Sequence, residues 1–186
     1  MVRTADSEKA ASEWFGRWAD PWFDLHKEVQ LRHHDGTRLR IDYVGVPRVP
    51  FNGDMVGFEI KRGKFDGFKE YSQALKQAID YRHAKIEDKR FPAWEGKIVP
   101  YVFLWFPDEE ELTSSVYDGW RPGAERLAGK FNVGRVRAVR YRDDRDDLFP
   151  YMRLEISTHK VWDSLRGMTG FGERLTERRG GRGSAK

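Results

Sequence analysis

The dipeptide Asp35-Gly36 stands between two runs, EVQLRHH and TRLRIDYVGV, in which apolar and polar residues alternate. This feature constrains the chain more than any other. An Asp-Gly pair favours the positive φ of a tight hairpin turn, and period-two alternation suits a strand with one buried face. Residues 28–46 are therefore expected to form a β-hairpin. After the connection PRVPFNGDM comes a third strand-like run, VGFEIKR, so three strands should follow one another.

The flanking segments change period. Residues 8–19 read as a short helix carrying Trp14, Phe15 and Trp18 on one side, and Asp20-Pro21 reads as the cap and first position of a second short helix over 21–27. The clearest helix is 68–89, where Phe68, Tyr71, Leu75 and Ile79 recur at three- and four-residue steps. IVPYVFLWFP, residues 98–107, is a continuous apolar run that suits a strand buried on both faces. A polar helix is expected over 108–129, interrupted at Arg121-Pro122-Gly123. GRVRAVRYR and YMRLEIS read as a closing hairpin across DDRDDLFP, and VWDSL as a last short helix. No internal repeat is evident. The order of elements predicts an α/β fold around a mixed central sheet, with a C-terminal helix and β-hairpin as additions. Residues 1–169 are expected to form one domain and 170–186 a flexible basic tail.

Composition narrows the chemistry. With no cysteine, the chain has no disulfide, no thiolate zinc site and no cysteine-ligated iron–sulfur cluster. Any metal must sit on oxygen or imidazole. The absence of a long apolar window or signal-peptide core predicts a cytoplasmic protein that makes no membrane contact. Of the net charge of +4, the tail GERLTERRGGRGSAK supplies five basic and two acidic residues. Residues 61–90 hold nine Lys or Arg against five acids, which predicts a side facing a polyanion.

Alternation assigns faces within the strands. Phe58 and Ile60 should point to one side of the sheet, Glu59 and Lys61 to the other. In RLRIDYV, Leu39, Ile41 and Tyr43 form the expected buried set, leaving Arg40 and Asp42 on the opposite face. If the strands are neighbours, Asp42, Glu59 and Lys61 converge. Two carboxylates with main-chain carbonyls suit a hard cation such as Mg²⁺. Gln73, Gln77 and Tyr81, spaced by four, form an expected stripe opposite Phe68, Leu75 and Ile79.

Asp42, a gap of 16 residues, Glu59-Ile60-Lys61, and then Gln77-Ala78-Ile79-Asp80-Tyr81 on the next helix resemble the PD-(D/E)XK nuclease superfamily, in its RecB-like branch with a Q-x-x-x-Y motif. The resemblance spans about residues 20–107. It implies a restriction-endonuclease-like α-β-β-β-α-β core and a Mg²⁺- or Mn²⁺-dependent deoxyribonuclease. It also implies that Asp42 and Glu59 are metal carboxylates, with the Ile60 carbonyl as a further ligand and Glu28 assisting directly or through water. Lys61 is implied to orient or deprotonate the attacking water and to stabilise charge on the phosphate; Gln77 and Tyr81 brace the site. Ile41 stands where the superfamily name has proline, and Gln73 competes with Gln77 as the relevant amide.

Arg62, Lys64, Gln73, Arg82 and His83 are the candidate DNA contacts. Endonuclease and exonuclease action both remain open, as does homo-oligomerisation, and a non-catalytic DNA-binding protein is the alternative. His26 and His159 read as structural, His33-His34 as hairpin-tip residues, and Asp143, Asp144, Asp146 and Asp147 as a solvated acidic turn. No Gly-x-x-x-x-Gly-Lys-Ser/Thr loop is present, so nucleotide hydrolysis is not expected.

Overall fold

The computed structural model describes residues 8–48, 55–61, 68–106, 121–142, 148–157, 159–163 and 167–168. In chain order the elements are α1 (Glu8–Ala19), β1 (Phe23–His33), β2 (Arg38–Pro47), β3 (Val56–Ile60), α2 (Phe68–Arg82) and β4 (Ala84–Ile86). They continue with β5 (Val102–Trp105), α3 (Arg121–Lys130), β6 (Val133–Arg142), β7 (Leu148–Ile156), β8 (His159–Asp163) and β9 (Gly167–Met168). The described strands form one mixed sheet in the order β4-β1-β2-β3-β5-β6-β7-β8-β9. The β3–β5 and β5–β6 pairs are parallel and the others antiparallel, so α2 and α3 serve as the crossovers that parallel neighbours require. The chain is α/β, as its element order predicts.

The expected hairpin forms. His33 and Thr37 close it through a 2.9 Å main-chain bond, Thr37 N–H donates to Asp35 Oδ1 at 2.8 Å, and Gly36 takes the left-handed φ of 90° that the turn needs. Each side of the sheet carries its own core. On the α1 side, Ala11, Phe15 and Ala19 repeat every four residues and pack on Phe23, Tyr43, Phe58 and Trp105. On the α2 side, Tyr71, Ala74, Leu75, Ala78 and Tyr81 pack on Val29, Leu31, Ile41, Val44, Val102 and Leu104. Full burial of one such large side chain contributes roughly 1.5–3 kcal/mol, so both helices are held mainly by packing. Gly57 lies between the layers, where a side chain would press on Ile41, Val99 and Val102.

Several sequence expectations are corrected. No helix covers 21–27: Asp20 and Trp22 donate back to the end of α1, and β1 starts at Phe23, opposite Pro47. Burial of Phe23 and pairing along β2 outweigh the local capping signal of Asp20-Pro21. α2 stops at Arg82 rather than 89; Ala84 and Ile86 turn into the core as β4 and pair with Leu31–His33. The strand expected over 98–107 is confined to Val102–Trp105, after Pro100, which has no N–H for a ladder.

At Arg121-Pro122, where an interruption was expected, α3 begins instead. A proline in the first turn removes an N–H that has no partner within the helix. Of VWDSL, expected as a helix, the described residues Val161–Asp163 belong to β8 instead, along the edge of β7, and so short a segment gains little from helical bonding. The remainder of the helix expected over 108–129, the acidic turn at 143–147 and the tail at 170–186 lie outside the described residues. Among the described residues, no helix is long and apolar enough to cross a membrane.

Candidate active site

β1 and β2 both reverse their faces at one point. Phe23 and Leu25 face the α1 side while Val29 and Leu31 face the α2 side; across the ladder, Ile41 faces α2 and Tyr43 faces α1. The single buried set expected of Leu39, Ile41 and Tyr43 is therefore split between two cores. The cause is Glu28, whose φ of 53° is left-handed and rotates β1 by half an alternation. Between the pairs Lys27↔Tyr43 and Val29↔Ile41, Glu28 lies opposite Asp42. Asp42 thus occupies the crossover of its strand.

The β2–β3 ladder ends at Tyr43↔Phe58. Beyond it, the Asp42 side chain takes the place of the strand, with Oδ2 accepting the Ile60 N–H at 2.7 Å. Two carboxylates meet where the strands part: Asp42, half-buried, and Glu59, only 3% exposed. Ile60 itself is fully buried on the α1 side, so Glu59 and Lys61 share the other face, as alternation requires. The Lys61 N–H donates to the Trp105 carbonyl at 2.9 Å, holding residue 61 against β5.

From Lys61 a chain of hydrogen bonds runs into α2. Its Nζ donates to Glu59 Oε1 at 2.5 Å and to Gln77 Oε1 at 2.8 Å. Gln77 Nε2 donates to the Tyr81 hydroxyl at 2.5 Å, and that hydroxyl donates to the Arg40 carbonyl at 2.9 Å. An ammonium only donates, so the Gln77 amide must turn its oxygen to Lys61 and its NH₂ to Tyr81. Burial, reinforced by the Glu59 and Asp42 charges, holds the Tyr81 phenol far above its ordinary range, and it remains a protonated donor.

Glu59 is left incompletely satisfied. Its Oε2 is buried and has no hydrogen-bond partner. Burial, and then the Asp42 carboxylate, push the Glu59 carboxyl up to about 7 against the opposing pull of Lys61 and, more weakly, of the nearby Tyr81 hydroxyl. An orphaned buried carboxylate oxygen beside a second carboxylate is the donor set that an oxygen-seeking divalent cation completes. Asp42 and Glu59 therefore fit a shared cation.

The other sequence-derived candidates separate around this centre. The Glu28 carboxylate is exposed and lies 3.9 Å from the Arg40 guanidinium, and among the described residues no three His, Cys, Asp or Glu side chains gather closely enough to hold a metal. The expected Gln73–Gln77–Tyr81 stripe is not opposite the apolar face. Four residues advance a helix by about 40°, so the three spiral from exposed Gln73 through half-buried Gln77 to Tyr81 in the core. Gln77, not Gln73, enters the site. At the far end of α2, Arg82 donates to the Phe131 and Val99 carbonyls, and exposed His83 packs edge-on to Phe131. Arg62 and Lys64 lie outside the described residues. His26 packs edge-on against the stacked rings of Phe91 and Trp94.

No family model, curated protein or solved structure matches the chain. The site is therefore read from its own chemistry: two neighbouring carboxylates, one of them with an oxygen that accepts no hydrogen bond, and an ammonium fixed beside them by an amide and a phenol. Sequence reading misses Asp88 and Arg90, which bond the bend at Glu28. Within the 61–90 stretch they register only as charges, because their partners lie about sixty residues away.

Proposed function

We propose that the chain is a metal-dependent nuclease that hydrolyses phosphodiester bonds in DNA, built on a restriction-endonuclease-like core. The order α1-β1-β2-β3-α2-β5 supports the core, and Asp42, Glu59, Lys61, Gln77 and Tyr81 support the chemistry. One observation carries the reading: a buried Glu59 keeps an unpartnered Oε2 next to Asp42, while Lys61 is bonded to the same carboxylate. A purely structural ion pair has no use for that residual negative charge.

Asp42 and Glu59 would hold Mg²⁺ or Mn²⁺. Such an ion supplies a Lewis acid for the phosphate and a bound water of lowered pKa. The chain's own part is placement. Glu59 and Gln77 fix the Lys61 ammonium, so its charge is in position before a phosphate arrives and need not reorganise as negative charge develops. The Tyr81 hydroxyl, tied to the Arg40 carbonyl, sets the orientation of Gln77 and through it of Lys61. Exposed Gln73, one turn before Gln77, and the basic residues Arg62 and Lys64 are the proposed contacts to the DNA backbone.

The test is incubation of the protein with linear, circular and branched DNA, with Mg²⁺ and with chelator. Cleavage that requires the metal supports the reading, and the preferred form distinguishes end-dependent from internal cutting. Binding without cleavage of any form in Mg²⁺ or Mn²⁺ would overturn it in favour of a DNA-binding protein.

A further inference from the structure

The bend at Glu28 is held from outside the strand. β4 pairs only with Leu31–His33, so among the described residues the edge of β1 at residues 27–30 has no strand beside it. The turn after β4 takes that place. Arg90 Nη2 donates to the Glu28 carbonyl at 2.8 Å and to the Lys27 carbonyl at 3.3 Å. Asp88 Oδ2 accepts the Gln30 N–H at 3.1 Å, and the Glu87 N–H donates to the Gln30 carbonyl at 3.0 Å. Asp88 and Arg90 are also bonded to one another, through Nε to Oδ1 at 3.0 Å and Nη2 to Oδ2 at 2.7 Å.

A left-handed glutamate is a strained choice in a strand and persists only where its surroundings over-determine it. Here the strain has a local consequence. The reversal of faces at Glu28 is matched across the ladder at Asp42, whose carboxylate reaches the Ile60 N–H and lies beside Glu59. A regular β1 would keep Ile41 and Tyr43 on one face of β2 and turn Asp42 squarely to the other.

We infer that the Asp88–Arg90 pair is a positioning device for the metal site: by bonding Lys27, Glu28 and Gln30 it holds the bend that sets the Asp42 carboxylate against Ile60 and beside Glu59. The inference rests on the nuclease reading for its functional meaning, but its geometry is testable without it. Asp88 is only 4% exposed and accepts four hydrogen bonds, one from the Gln30 N–H and three from Arg90, so a guanidinium fork and a carboxylate are both needed. A lysine at position 90 keeps the charge and loses the fork.

Arg90→Lys and Asp88→Asn are the test variants, with Arg90→Ala as a harsher third. Two quantities are read below each variant's own melting temperature: the position of the Ile60 amide resonance, and the Mg²⁺ concentration that gives half-maximal cleavage. In both conservative variants the Ile60 amide is expected to shift while amides of Phe15 and Val136 stay in place. The half-maximal Mg²⁺ is expected to rise about tenfold, with the rate restored at high Mg²⁺ and metal-free DNA binding unchanged. A loss of rate that Mg²⁺ does not restore, with the Ile60 amide unmoved, would reduce the pair to a fastening of the turn. An unmoved Ile60 amide together with wild-type Mg²⁺ dependence would overturn the inference outright. Asp42→Asn, run alongside, separates this failure from that of the nuclease reading. If wild type cleaves and Asp42→Asn does not, the site stands whatever the clamp variants do; if wild type fails to cleave, the Ile60 amide still decides the clamp.

Discussion

Glu59 and Glu155 are both nearly inaccessible carboxylates on strands of one sheet, 3% and 5% exposed, yet their surroundings differ in kind. Glu155 lies among guanidinium groups: Arg135 meets its Oε2 through Nε and Nη2, both at 2.9 Å, and Arg153 lies 3.6 Å from Oε1. Arg135 also donates to Glu125 Oε1 at 2.8 Å, so one planar fork joins two strands' worth of charge to α3. Glu59 has one ammonium, the Tyr81 phenol and one neighbouring carboxylate around it, and its Oε2 accepts no hydrogen bond of ordinary geometry. Burying a charge is costly unless it is paired; guanidinium groups face both oxygens of Glu155, whereas Glu59 Oε2 accepts no hydrogen bond. Incomplete compensation, more than burial or charge, marks the candidate site.

The contrast breaks most directly through the carboxylates. Asp42→Asn and Glu59→Gln are each expected to abolish Mg²⁺-dependent cleavage while leaving DNA binding intact, as measured by gel assays on linear DNA with matched binding titrations. Undiminished cleavage by either variant would place the chemistry elsewhere. Removal of the cation from the closed cluster should act on folding instead. Arg135→Met strands two buried carboxylates and is expected to cost about 3–5 kcal/mol of stability by denaturant unfolding, with the rate per folded molecule unchanged.

Lys61 gives a finer distinction. If its ammonium only neutralised Glu59, its loss would barely affect turnover. As a fixed charge at the phosphate, its replacement in Lys61→Met should slow cleavage per folded molecule at least about a hundredfold, close to 3 kcal/mol in the barrier, beyond the loss of stability from leaving buried Glu59 without its ammonium. Smaller still is the expected effect of pH on the metal-free protein. Glu59 is raised from the usual carboxylate range to about 7, so between those values the folded state binds the extra proton and stability falls as pH rises. The whole shift corresponds to roughly 3 kcal/mol. Metal-free protein should melt higher at pH 5 than at pH 8. Glu59→Gln should flatten that dependence, and Mg²⁺ should raise the melting temperature more at pH 8 than at pH 5. A pH profile that Glu59→Gln leaves unchanged would remove the uncompensated charge from the comparison.

Much of this arrangement is readable along the chain. Period-two alternation places Glu59 and Lys61 on one face of β3, and Asp35-Gly36 marks the hairpin. Both are short-range patterns, set by repeat geometry that the backbone imposes within a few residues, whereas the four-residue step from Gln73 to Tyr81 drifts around α2 into the core and misleads. The alternation argument fails at Ile41 and Tyr43, and there for a physical reason. Their separation into two cores depends on a left-handed Glu28 in the neighbouring strand, which composition does not favour and periodicity does not mark.

Sequence alone therefore determines which residue types are present, the α/β class, and the local face on which Glu59 and Lys61 lie. The convergence of Asp42 with Glu59 is decided only in the folded chain. It requires β2 to part from β3 after Tyr43, β1 to reverse at Glu28, and Asp88 and Arg90 to return from beyond β4 and bond that reversal. Those bonds join groups some sixty residues apart, and a strained backbone conformation survives only when such distant contacts outweigh its cost.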